Sequence, residues 1–145
     1  LSAIYLEDVM FKKEIQIPIY KGVLAFCIGD DKEEITDYFD LGDLLPEVIF
    51  AHSFYTSKDY EIKDIGVFLI ILNFKYEMPI TYGIITHEIN HIGNMILNYR
   101  RIDPNYDNDE AEAYLKEWIA NELYSFLSEI NMLKKVKVGQ IKYLK

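Results

Sequence analysis

Residues 84–96 constrain this chain more than any other stretch, because Ile84, Ile85, Ile89, Ile92, Met95 and Ile96 recur there at helical spacing. On a helix wheel they form one broad apolar arc, with Thr86, Asn90, Gly93 and Asn94 opposite. Such a segment has to bury one face against the rest of the fold. Embedded in it is His87-Glu88-Ile89-Asn90-His91, with the two histidines at the margin of the arc and Glu88 inside it. Positions i and i+4 of an α-helix share a face one turn apart, so both imidazoles can reach one point. Glu88 is rotated about 100° from His87, close to that point without coinciding with it.

H-E-x-x-H on a helix is a zinc pattern, in which two histidines hold the ion and the glutamate addresses a water on it. Zinc brings the pKa of its bound water toward ~7, and an adjacent carboxylate takes the proton as the water attacks a carbonyl. A carboxylate on the buried side of a helix is costly unless a charged or hydrogen-bonding group meets it. A water on the metal is such a partner for Glu88. The alternative is that the histidines are polar residues at a core margin and that Glu88 pairs with a Lys or Arg.

A catalytic zinc usually takes three protein ligands and keeps a fourth position for water. Beyond the motif the chain has a single further histidine, His52, in the upstream strand-like run Val48-Ile49-Phe50-Ala51-His52. The richer source is the acidic segment Asp107-Asn108-Asp109-Glu110-Ala111-Glu112-Ala113-Tyr114, which opens the next helical pattern. Carboxylates at a helix start are favoured by its dipole and can face the preceding helix. Glu110 lies nineteen residues after His91 and Glu112 twenty-one. With Asp109 as N-cap, Glu112 completes a capping box; with Asp107 as N-cap, Glu110 does. Periodicity puts Glu112 nearer the centre of the Leu115, Ile119, Leu123 and Phe126 face, so the residues alone leave both open.

The HEINH run, followed by a connection and then Glu110-Ala111-Glu112-Ala113-Tyr114, resembles a gluzincin, the H-E-x-x-H…E branch of the zincin metallopeptidases. In thermolysin-like members the third ligand is a Glu preceding Ala in the next helix, and the resemblance gives that role to Glu110. The chain also resembles small phage-encoded metallopeptidases in which an E-A-x-A-Y-L segment follows the zinc helix, here Glu110 to Leu115. The resemblance covers residues 68–126. It departs at Tyr114, where thermolysin-like enzymes carry an Asp, and at Lys116, where related regulators of mobile elements carry an aromatic. It implies a zincin-like domain holding one Zn2+ on His87, His91 and Glu110. It implies also that Glu88 is the general base for hydrolysis of peptide bonds in a peptide or protein substrate.

At 145 residues the chain is sized for a single domain, residues 1–145, with a real core. Half of it is apolar or aromatic, which argues against disorder, and its net charge of −9 argues against general nucleic-acid binding. From Asn131 onward there are five Lys and no acid. That tail reads as a solvated end complementing a helix C-terminus, or as a dock for an acidic protein partner. Its Val136-Lys137-Val138 and Ile141-Lys142-Tyr143 alternation equally suits a short edge strand. The single cysteine, Cys27, excludes a disulfide within the chain and a Cys-based zinc site. Its apolar run reads as buried and inert, with a cysteine nucleophile as the alternative. No run reaches the ~18 uncharged apolar residues of a membrane span. No signal-peptide pattern is visible, so the host cytoplasm, or a phage virion, is the expected setting.

Residues 13–20 and 23–29 read as strands joined at Lys21-Gly22, with Pro18 pushing the first toward a sheet edge. Residues 31–41 read as a short helix stopped by Gly42, and 47–54 and 65–72 as further strands. In zincin-like enzymes the strand before the zinc helix forms the sheet edge to which a peptide adds by backbone hydrogen bonds. Thr81 caps the zinc helix, which runs to about residue 100; Asp103-Pro104-Asn105 breaks the chain. The last helix spans 109–131 with Trp118 and its Leu/Ile/Phe face toward the zinc helix. Tyr114, one turn beyond Glu110, either packs between the two helices or donates to an oxyanion. The class expected is α+β, a small mostly antiparallel sheet on two long C-terminal helices that carry the metal site. Two other functions fit the same residues: a catalytically silent zincin-like structural or interaction protein of a virion or its assembly, and a regulatory protease acting on one partner.

Overall fold

The computed structural model describes residues 10–56, 66–102 and 109–139. The chain runs β1 (Phe11–Gln16), β2 (Val23–Ile28), α1 (Lys32–Phe39), β3 (Ala51–Thr56), β4 (Val67–Leu72), α2 (Tyr82–Tyr99) and α3 (Asp109–Glu129), then a 3-10 turn at Leu133–Lys135. Among the described residues the strands form one four-stranded sheet in the order β1-β2-β4-β3. β1 and β2 are antiparallel, β2 and β4 parallel, and β4 and β3 antiparallel. The class is α+β with a mixed sheet, the parallel pair arising because α1 and β3 intervene between β2 and β4.

β2 (VLAFCI) and β4 (VFLIIL) are apolar along their whole length, the pattern of strands covered on both faces. Helices cover each side. Ala25, Cys27, Val67, Leu69 and Ile71 meet Ile35 and Phe39 of α1 and the residues Leu41, Leu45 and Ile49 that follow it. On the other face Leu24, Phe26, Phe68, Ile70 and Leu72 meet the stripes Ile85, Ile89, Ile92, Ile96 of α2 and Leu115, Ile119, Leu123, Phe126 of α3.

The strand preceding α2 is not the sheet edge. β4 is central, and the edge on that side is β3, whose AHSFYT sequence is only half-buried, as an edge tolerates. β3 starts at Ala51 rather than near 47, because Leu45 and Ile49 are drawn into the α1 layer. β1 ends at Gln16, just before Pro18, which offers no ladder donor. The loop beyond it is closed by Ile17 N–H donating to Gly22 O at 3.0 Å. Gly22, at φ +94°, supplies a left-handed turn there.

Thr81 caps α2 as its sequence suggests, accepting from Ile84 N–H at 3.1 Å. α1 is capped by Asp31, and its exit passes through left-handed Asp40 before Gly42. Asp109 is the first residue of α3, which puts its N-cap outside the described residues. The Asp103-Pro104-Asn105 break, the Asp107 cap and the 141–143 alternation also lie outside them. Among the described residues no helix is long and apolar enough to cross a membrane.

Candidate metal centre

The apolar stripe of α2 is pressed on the sheet, and this leaves His87 and His91 at the exposed margin of the helix. Their Nε2 atoms converge to 3.0 Å, with the rings 4.6 Å apart and nearly perpendicular. An ion bonded to each nitrogen at about 2.0–2.1 Å in tetrahedral geometry separates them by roughly 3.3 Å. The 3.0 Å separation is that of a ring-to-ring hydrogen bond, and it lies within a few tenths of an ångström of the spacing of two ligands on one zinc.

Glu88 is 7 % exposed on the sheet side of α2. Its neighbour there is Ser53 of β3. The Ser53 hydroxyl lies 2.5 Å from Glu88 Oε2, to which it donates, and 3.3 Å from the Glu88 main-chain oxygen. Ser53 pairs with Ile70, whose side chain lies on the α2 face, so register alone aims the serine at the helix. The buried carboxylate is thus met by a hydroxyl, and no described Lys or Arg pairs with it. A lone serine within a strand gives no signal in sequence; the pairing register is what identifies it.

The same register disposes of His52. It pairs with Ile71, which faces α1, so His52 stands on the opposite side of the sheet from His87 and His91. There its Nε2 accepts from Phe50 N–H at 3.1 Å.

Of the two acidic candidates, Glu110 lies exposed in the first turn of α3. Glu112 is half-buried and engaged by the ammonium of Lys116, which also donates to Asn90 Oδ1 at 2.6 Å. The Lys116 stem crosses Gly93, where a Cβ would come within 2.8 Å of its Cγ. This clasp fixes α3 to the outer face of α2 and commits Glu112 to an ion pair. Among the described residues, no third His, Cys, Asp or Glu joins His87 and His91 in a group able to hold a metal. Tyr114 does not pack between the helices: it is 66 % exposed, on an apolar hollow with Pro18, Ile19 and Trp118.

A cleft of about 770 Å³ opens beside the motif. Phe50 and Ala51 at the start of β3, residues 81–84, His87 and Glu88 line it, and Val138 and Gly139 complete the wall. Among the described residues the tail reaches it by one strand-like bridge, Lys137 N–H donating to Ile80 O at 2.9 Å and Tyr82 N–H to Lys137 O at 3.0 Å. The first part of the Lys-rich tail is therefore a tethered wall of the cleft. Cys27 lies across the sheet with no exposed surface. Burial, then the charge of Glu34, pushes its thiol up to about 12, which leaves no thiolate for nucleophilic work.

Comparison of the chain with protein-family models, with curated proteins and with solved structures finds no match.

Proposed function

We propose that this chain is a small zincin-like metallopeptidase of the gluzincin branch. The observation that carries the reading is the convergence of the His87 and His91 nitrogens beside a buried Glu88, at the wall of a cleft bounded by an edge strand. His87 and His91 would hold Zn2+, with Glu110 as the third ligand on the strength of its likeness to the gluzincin segment. Bound zinc supplies Lewis acidity to a water and to the scissile carbonyl. Glu88 takes a proton from the attacking water and passes it to the departing amine, as the water oxygen joins the carbonyl carbon and the C–N bond breaks. An extended peptide can align on β3, whose outer edge pairs with no described strand.

A second reading, a catalytically silent interaction protein, draws on the exposed position of Glu110 and on the Lys116 clasp, which joins α2 and α3 without a metal. Chelation separates the two. A peptidase loses hydrolysis of a labelled unstructured protein on treatment with a zinc chelator and regains it when zinc is restored. The silent protein binds zinc, hydrolyses nothing before or after, and responds to chelation only in its melting temperature.

A further inference from the structure

Glu88 has to do two things at once. It sits in a largely buried position, which restricts its carboxylate, and it has to offer one oxygen to the cleft in a fixed direction. The two oxygens are not equivalent. Oε2 accepts the Ser53 hydroxyl, whereas Oε1 accepts nothing from any described residue, and Glu88 lines the cleft. Ser53 itself is held by β3, whose ladder to β4 fixes its height along α2, and its hydroxyl also lies within reach of the Glu88 main-chain oxygen. One strand residue therefore locates both the backbone and the carboxylate of the glutamate.

Resting on the peptidase reading, we infer that Ser53 is the positioning residue for Glu88: it ties Oε2 to the edge strand so that Oε1 is the oxygen turned to substrate water. Ser53 moves no proton to or from substrate. Its hydrogen bond removes the rotation of the carboxylate, and a misplaced general base loses rate steeply. Because β3 is also the strand beside the cleft, the tie sets the base in register with whatever lies along that edge.

The test compares the full chain with Ser53→Ala, Ser53→Thr, Glu88→Gln and the Ser53→Ala/Glu88→Gln double variant. Two readouts are used: kcat and KM on a labelled unstructured protein, and crystal structures of the metal-free chains. Ser53→Ala is expected to lower kcat about 10- to 100-fold with KM unchanged, and Ser53→Thr to restore most of it. In the double variant Ser53→Ala is expected to add nothing to the loss already caused by Glu88→Gln. The metal-free Ser53→Ala structure is expected to show the Glu88 carboxylate turned away from its native position or split over two rotamers. Wild-type kcat in Ser53→Ala, or a Glu88 carboxylate unmoved in its structure, overturns the inference while leaving the peptidase reading intact. A native chain with no hydrolysis above that of Glu88→Gln overturns the peptidase reading instead, and the carboxylate position then decides the structural role of Ser53.

Discussion

Glu88→Gln is expected to lower kcat on an unstructured protein substrate by about 10²- to 10⁴-fold, the range a positioned general base contributes, with zinc content and melting temperature near native. Gln is nearly isosteric with Glu and can still accept the Ser53 hydroxyl through its amide oxygen, so the junction of α2 with β3 survives. What disappears is the ability to take a proton. The substitution also removes a largely buried charge, so stability is not expected to fall. Steady-state kinetics beside elemental analysis of the same preparation checks the result. Turnover within threefold of native, roughly 0.65 kcal/mol in the barrier by the usual conversion, means that Glu88 is not the base.

Phe26→Ala carries the largest expected cost in stability. Phe26 has no exposed surface, lies in central strand β2, and stacks on Phe126 of α3 with ring centroids 6.1 Å apart. Removing the ring leaves a cavity between the sheet and the helix that carries Glu110, at an expected cost of about 3–5 kcal/mol. Against the ~5–15 kcal/mol that holds a typical domain folded, this is a large fraction. Denaturant unfolding checks it: the midpoint should fall with the slope unchanged. A loss below about 1 kcal/mol means that the sheet does not pack on α3 as described.

The two long helices were legible in sequence because their apolar residues repeat at helical spacing over many turns, and Thr81 stands where a cap belongs. β2 and β4 were legible as uninterrupted apolar runs. Strand order was not. Nothing in Val67–Leu72 says that a neighbour lies on each side, so whether that strand is an edge stays open in sequence; β4 is central and β3 holds the edge beside the motif. The same blindness hid Ser53 and left His52 in play, since a shift of one residue in register exchanges the faces on which they stand. The convergence of His87 and His91 needed only the i, i+4 spacing of a helix and could be read directly. Placing Glu110 or Glu112 against them required a contact between helices, and there the Lys116 side chain, which sequence marks only as a departure from related regulators, claims Glu112.

Zinc stoichiometry is the most direct measurement of the central claim, that the HEINH turn of α2 is a metal centre. Elemental analysis of protein purified without added metal is expected to give one zinc per chain for the native sequence. For His87→Ala and for His91→Ala it is expected to give a small fraction of that, with both variants still folded by circular dichroism. Native protein that carries no zinc and takes up none on addition contradicts the account, as do histidine variants that keep the native stoichiometry.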